Sequence, residues 1–571
     1  MPPVKVVDGY DVLIVGSGFG GSVAALRLAE KGYRVAVLEA GKRFATEDFP
    51  LTNWNLRRSV WMPKLFCHGI LRLTLLSDVL VGSGAGVGGG SLVYANTLPV
   101  PRADVFRHTE WPSGRDWEEA LAPHYVTAKR MLGAATNPRL TEADRVLREC
   151  AEEIGKGGTF RRTDVAVFFG EPGEEVPDPY FGGEGPARSG CVFCGGCMVG
   201  CRHNAKNTLD KNYLYLAQKR GARIFPETKV DALRQENDGR YTLTSVRSTA
   251  VLARDRKEWS APMVILAAGV LGTVDLLLRA RERGSLPALS PALGRRVRTN
   301  SEAIVGATSR SKTVDFTEGV AITSGIDPDD VTHIQPVRYP RGSDLIGLLA
   351  KPLTDGGPGI PRGLRFIVNC VTKPGDFLGS LLPFGWARRS IMLLVMQVAE
   401  NQLELVRRRR WFWPFTLTLD SRNPLPRGER NPTYLPVAND MARRVAKKIG
   451  GWPVSSINEA LLDIPSTAHI LGGAVIGSDP ESAVCDDRHR VFGHANLYVV
   501  DGSAVPVNLG VNPALTITAL AERAMSQVPA KVSGDLVGSA AIGRRRSRRQ
   551  VRRRVDRLLR HTQLEVHMRA R

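Results

Sequence analysis

Apolar and polar positions follow two rhythms along this chain. Near its start, Val12 to Val15 form an unbroken apolar run, the pattern of a short strand buried on both faces. The rhythm then changes. Val23, Ala24, Leu26 and Leu28 recur at the spacing of an amphipathic helix, Gly32 stops it, and Val35 to Leu38 form a second apolar run that ends in Glu39. Strand, helix and strand at this spacing predict the crossover unit of a parallel sheet.

Later segments extend that sheet and add others. Helices are predicted over residues 111–133, 141–154, 207–220, 273–283 and 515–525. Strands are predicted over 91–94, 222–225, 229–234, 240–247, 263–266 and 497–500, with Asn237-Asp238-Gly239 turning the third of these into the fourth. The apolar run Met263–Leu266 leads into Ala267-Ala268-Gly269, as a strand returning to the first sheet would. Residues 44–80 lack clean periodicity and read as a covering segment, and residues 170–190 read as an exposed loop. Between residues 300 and 460 the pattern turns to alternation (303–309, 333–339) with an apolar stretch at 391–398. That predicts a separate, sheet-rich layer over the reactive end of the site.

The expected fold is therefore α/β, a Rossmann-like nucleotide-binding domain with a second, β-sheet-rich substrate domain. The nucleotide-binding domain is assembled from residues 8–110, 191–299 and 461–531. Residues 111–190 supply covering helices and a loop, 300–460 the substrate domain, and 532–571 a basic tail. At 571 residues the chain is too long for one core, which agrees with this division. No apolar run is long enough to cross a bilayer, and the N-terminus enters the first strand without a signal-like stretch, so a cytoplasmic protein is expected. The net charge is +21, and the last 28 residues hold twelve arginines against Asp556 and Glu565. A run of like charge reads first as a solvated tail, with contact to anionic lipid or nucleic acid as the functional alternatives. Arg407–Arg410 followed by Trp411-Phe412-Trp413 would suit a membrane interface or a solvated loop.

Three groups of residues carry chemistry. The first is the turn Gly16-Ser17-Gly18-Phe19-Gly20-Gly21, with Gly16, Gly18 and Gly21 in the dinucleotide-binding register. Gly16 permits the tight turn, Gly18 lets the backbone approach a pyrophosphate at the helix N-terminus, and Gly21 lets helix and strand pack closely. Glu39, 18 residues beyond Gly21, can accept hydrogen bonds from a ribose hydroxyl. A second glycine cluster holds six glycines between Gly82 and Gly90, which suits a backbone passing close to a flat or charged ligand.

The second group is Cys191, Cys194, Cys197 and Cys201, half of the chain's eight cysteines in a C-x2-C-x2-C-x3-C run. This is the ferredoxin-type spacing for an iron–sulfur cluster. Four close thiolates also suit a structural zinc, and unligated structural thiols or disulfides are the third reading. The third group lies near the C-terminus, where His469 precedes a Gly-Gly pair and Asn512 stands before Pro513. Asparagine at that place could simply cap the helix that follows.

The opening fingerprint, GVGGGSLVYAN, KVDALRQENDGRYTL, VILAAGVLGTVDLLLRARERG, AHILGGAVIG and LYVVDGS…GVNPALTITALAERA together resemble the glucose–methanol–choline (GMC) oxidoreductases, over residues 8–530 and in the family's order. Within the family they are most similar to the cholesterol oxidases. The resemblance implies FAD. It places Gly16, Gly18, Phe19, Gly20 and Gly21 at the pyrophosphate, Glu39 at the ribose and Val230 at the adenine. Gly90 and Asn96 would lie along the flavin, and Asp501 and Gly502 at the cofactor's centre. It also makes His469 and Asn512 the active-site pair, with His469 assisting deprotonation of the substrate hydroxyl. The implied activity is FAD-dependent oxidation of a sterol-like secondary alcohol, a 3β-hydroxysteroid such as cholesterol, to the ketone with O2 as acceptor. The alternative is an FAD/iron–sulfur alcohol dehydrogenase passing electrons to another carrier. A non-catalytic nucleotide-binding protein is disfavoured by the presence of both His469 and Asn512.

The chain departs from the family at several points. Gln335 stands by context where cholesterol oxidases carry the glutamate that moves the Δ5 double bond, and an amide is no general base. Tyr94 and Ala514 replace the usual asparagine and phenylalanine, and no proline follows the fourth cysteine. A sterol or other apolar alcohol is the expected small-molecule partner, with peripheral membrane contact through the basic segments and no role for nucleic acid.

Overall fold

A computed structural model of the chain describes residues 5–250, 255–399, 401–410, 413–425 and 431–531. The arginine-rich tail and Trp411-Phe412 lie outside the described residues. The apolar runs become the centre of a five-stranded parallel sheet. In spatial order its strands are Arg223–Phe225, Val35–Leu38, Val12–Val15, Met263–Leu266 and Leu497–Val499. Every residue of the three central strands is buried, which explains why their sequences show no alternation. Crossover helices cover the sheet. Phe19–Glu30 packs on the C-terminal helix Ala514–Ser526, which packs in turn on Trp117–Met131.

A second sheet, Lys5–Val7, Arg256–Ala261, Tyr241–Arg247 and Thr228–Gln235, lies beside the first. The hairpin expected around Asn237-Asp238-Gly239 is present, with Gly239 at φ +83°. A third sheet has its own apolar core. It runs Thr332–Val337, Ser390–Gln397, Ala303–Ser309, Gly451–Ser456 and Ala350–Pro352, with all neighbours antiparallel. A smaller sheet joins the two regions, since Ser466–Thr467 pairs with Leu80–Gly84, which pairs with Leu71–Leu75.

Three expectations change. Residues 91–94 are not a strand: Gly89–Leu92 forms a 3-10 turn after Gly88 and Gly89, both at positive φ. A glycine-dense approach followed by only three apolar residues favours a tight turn over an extended chain. The predicted helix at 207–220 is confined to Tyr213–Lys219, because Asn207 is pinned in the interior by hydrogen bonds to Arg188, Gly133 and Tyr180. The basic run around Arg407 is not a loop. Glu404–Arg410 is a strand paired with Trp413–Arg422; Arg407 pairs with Asp275 and Glu282, and Arg408 with Asp420. No described helix is long and apolar enough to cross a membrane.

Candidate functional site

The two glycine clusters interlock through backbone. A side chain at Gly41 would meet the Gly86 nitrogen at 2.1 Å, and one at Gly89 would meet the Gly18 α-carbon at 2.7 Å. Within the first turn, a β-carbon at Gly16 would strike the Ala267 carbonyl, and one at Gly20 the Val500 carbonyl. One at Gly21 would strike the Gly16 carbonyl, all within 2.2 Å. Gly18 differs, because a β-carbon there would enter open space. That is the pattern of a turn packed on three sides and left clear on the fourth, where a pyrophosphate approaches the helix N-terminus. Phe19 packs edge-on against Tyr94 at 5.5 Å, which sets the turn beside the Gly86–Asn96 stretch.

Glu39 is buried. Its carboxylate accepts from the Ser17 amide at 3.0 Å, the Ser17 hydroxyl at 2.7 Å and the Gly41 amide at 2.7 Å. Three donors fix the carboxylate at the end of its strand, with lone pairs remaining for a ribose hydroxyl. Val230 lies at a register shift in the strand Thr228–Gln235 and packs against the main core. Asp501 is buried and draws the last strand toward the helix Gly269–Glu282. Its oxygens accept from the Gly269 amide, the Thr273 hydroxyl and the Ser503 amide. Burial raises its pKa, and these hydrogen bonds oppose the rise. A side chain at Gly502, the next residue, would press on Ile517 and Leu471 at 3.3 Å from each.

Asn96 is fully buried at φ +69°, and both side-chain polar atoms lack a partner among the described residues. A buried amide left wholly unsatisfied costs about 1–3 kcal/mol per group, so a ligand that supplies its missing partners is favoured there. The clear face of Gly18, the fixed carboxylate of Glu39 and the unpartnered amide of Asn96 together fit FAD.

His469 and Asn512 meet. The Asn512 side-chain nitrogen donates to His469 Nε2 at 3.3 Å, while Asn512 Oδ1 is buried without a partner. Capping therefore does not explain this asparagine. Pro513 occupies the cap position of the helix Ala514–Ser526, and no side chain closes it. On the other ring edge, His469 Nδ1 donates to Glu302 Oε1, and Glu302 Oε2 accepts the Ala468 amide at 2.8 Å. Glu302 was not among the residues singled out in the sequence. A lone acid beside a β-rich segment gives no periodic signal; only its position three residues after Thr299, whose carbonyl binds Thr467, links it to the histidine. Asn300 and Ser301, both at positive φ, make the turn that aims it inward.

Gln335 is buried on the outer antiparallel sheet, with its Oε1 unpartnered. Tyr94 donates its hydroxyl to the Asn207 carbonyl at 2.9 Å. Ala514 is buried at the start of the helix Ala514–Ser526.

The four cysteines line one small cavity together with Val167, His203 and Lys206. Gly195 and Gly200 turn the loop at φ +70° and +99°. None of the four is in a disulfide; burial pushes the Cys191 thiol up to about 12 and Cys197 up to about 11. Among the described residues no group of three or more His, Cys, Asp or Glu side chains is set to hold a metal ion. Lys206, also unforeseen, ties this loop to the Gly86–Asn96 stretch. Its buried ammonium donates to the carbonyls of Leu92, Tyr94 and Cys197, at 2.9, 2.9 and 2.8 Å.

Comparison with known proteins identifies the family. A family model described as GMC oxidoreductase matches residues 187–295 and 435–521, and one described as FAD binding domain matches residues 11–47. The chain is 49% identical over 542 residues to a cholesterol oxidase of Mycobacterium tuberculosis (strain ATCC 25618 / H37Rv), covering 92% of each chain. It is 47% identical to a cholesterol oxidase of Acinetobacter baumannii, covering 91% of this chain and 95% of that one. Among solved structures, the crystal structure of pyridoxine 4-oxidase from Mesorbium loti superposes with a TM-score of 0.58 at 16% identity. That match covers 91% of this chain and 99% of the other, and it speaks to the fold alone.

Proposed function

The chain belongs to the GMC oxidoreductases, FAD-dependent enzymes acting on CH–OH groups, and from that premise we propose that it oxidises a 3β-hydroxysteroid such as cholesterol to the ketone. O2 is the acceptor in this reading. The observation that carries the chemistry is the alignment of Glu302, His469 and Asn512. With Nδ1–H donated to Glu302, the lone pair of His469 Nε2 is directed at the place where Asn512 now donates. A substrate hydroxyl entering there gives its proton to Nε2, and Asn512 donates to the oxygen as it becomes a carbonyl. Acid–base help of this kind contributes about 10²–10⁴-fold. FAD, when bound, supplies the acceptor for the hydride leaving the carbinol carbon. Gly16, Gly18, Phe19, Gly20, Gly21, Glu39, Gly90, Asn96, Val230, Asp501 and Gly502 are the residues we assign to holding it.

We assign no Δ5 isomerisation, since Gln335 offers an amide and Glu302 is committed to His469 on the side away from Asn512. Because sterols partition into lipid, peripheral membrane contact is part of this reading. The test is anaerobic mixing with a panel of 3β-hydroxysteroids and simple alcohols. Sterols should bleach the oxidised flavin spectrum, and readmitted O2 should restore it with stoichiometric peroxide. Bleaching by simple alcohols alone would refute the substrate; bleaching without reoxidation by O2 would refute the acceptor.

A second reading, an FAD/iron–sulfur dehydrogenase of the same family, is supported by one observation. The four-cysteine cavity is joined through Lys206 to the Leu92 and Tyr94 carbonyls on the flavin side. Cys191, Cys194, Cys197 and Cys201 would be the ligands of a cluster or, failing that, of zinc. Their side chains would have to turn inward to ligate. Iron, sulfide and zinc analysis of anaerobically purified protein separates cluster, zinc and free thiols.

A further inference from the structure

The helix Arg362–Thr372 is built inside out. Its polar side chains face the protein: Arg362 donates to the Thr354 carbonyl, Arg365 to the Gly356 and Pro358 carbonyls, and Asn369 to the Leu353 carbonyl. Its apolar stripe, Leu364, Ile367, Val368 and Val371, follows the i, i+3, i+4, i+7 spacing of a core-facing surface, yet these side chains are 52–74% exposed. The next helix, Pro374–Leu381, continues the face through Leu378 and Leu381, and the loop beyond it adds Leu382 and Phe384. Phe384 stacks on Trp54 at 6.1 Å, joining this face to a second apolar segment. There a hairpin tip presents Leu65 and Phe66, the latter held at φ +56°. Apolar patches of this extent on soluble proteins mark interaction sites.

Charge selects the occupant. Residues 51–75 present exposed Arg57, Arg58 and Lys64 and contain no acidic residue. The outer helices add exposed Lys373, while their one acid, Asp376, is paired with Arg310. Apolar side chains with exposed cations in the same segments, on helices too short to span, match the surface of an anionic bilayer. The face also backs onto the site. Helix Arg362–Thr372 packs on Ile457–Leu462, with Gly363 close against the Leu461 carbonyl, and that second helix runs through Ser466–Thr467 to His469.

We propose that the helices Arg362–Thr372 and Pro374–Leu381, with the Leu65-Phe66 tip, form a docking face for anionic phospholipid membranes. Its use in delivering substrate rests on the sterol reading; the docking itself does not. The test is flotation of the full-length holoenzyme with phosphatidylcholine vesicles with and without phosphatidylglycerol, at low and high salt. Wild type should float with the mixed vesicles and retain part of that binding at high salt, where the arginine-rich tail is screened. The double variant Val368→Asp/Val371→Asp should lose that salt-resistant fraction by about tenfold or more, because it scales with buried apolar area. Leu65→Asp/Phe66→Asp should lose it in part. Flavin content and turnover of a detergent-dispersed substrate should be unchanged in both variants. Equal flotation of the Val368/Val371 variant and wild type, or no salt-resistant binding by wild type, would overturn the proposal. So would a wild-type dimer that the variant converts to a monomer. Failure of every sterol to bleach the flavin would remove the substrate reading and leave the flotation result standing.

Discussion

The Asn512 side-chain nitrogen lies 3.3 Å from His469 Nε2, although 43 positions separate the two residues. One stands after a Ser-Thr strand that pairs with Leu80–Gly84, the other at the mouth of the last helix. Their meeting depends on both elements being seated, so it reports the assembly of the site as a whole.

Removing the imidazole should spare the cofactor. His469→Ala is expected to retain the wild-type flavin-to-protein ratio and to lose about 10²–10⁴-fold in kcat, with little change in KM. Stopped-flow measurement of anaerobic flavin reduction checks this, and an unchanged reduction rate would reject the assignment.

Glu302→Gln keeps the shape of the partner and removes its charge. An amide can present its nitrogen to Nδ1, so the ring would no longer be held with Nε2 as the acceptor. The expected loss is about 10–100-fold in kcat, with a displaced pH profile and unaltered FAD content. A purely structural glutamate would instead lower the melting temperature and leave the pH profile in place.

Gly18→Val places a branched side chain in the one open direction of the first turn. The protein should fold and emerge colourless. Recovery of fully yellow Gly18→Val protein would show that no pyrophosphate approaches there.

Glu459, at 1% exposure, gives a pH dependence with a definite sign. Burial raises its pKa from 4.5 to about 8, opposed by Arg362. The unfolded chain releases this proton near its ordinary value, whereas the folded chain keeps it until about pH 8. The contribution to stability is therefore full below about pH 4.5 and is lost as pH rises to about 8. Glu459→Gln should flatten that part of the melting-temperature profile; a parallel profile would exclude Glu459 as its source.

Much of this architecture is legible in the sequence because burial on both faces leaves an unmistakable mark. Val12–Val15, Val35–Leu38 and Met263–Leu266 emerge at their expected bounds, as does Ala303–Ser309, which is read from its alternation instead. Short apolar runs next to glycines are ambiguous, and so residues 91–94 read as a strand where the chain makes a 3-10 turn. Partners set by tertiary contact alone leave no local trace. Glu302 reaches His469, and Lys206 reaches Leu92 and Tyr94, all more than 100 positions away, and no periodicity marks either. The outer helix Arg362–Thr372 is not among the expected elements. Its spacing is that of a core-facing helix, and only the structure reveals that the apolar side points outward.

The parallel sheet also carries a clock. Its edge strand Leu497–Val499 pairs with Met263–Leu266, and the Val500 carbonyl that follows is what Gly20 packs against. A ribosome reaches that strand about 25–100 s after passing the first glycine turn, at the usual about 5–20 residues per second. Throughout that interval the turn has been made but its packing partner has not. Capture of the dinucleotide is consequently an event of the nearly finished chain, and nascent chains arrested before residue 497 should retain no flavin.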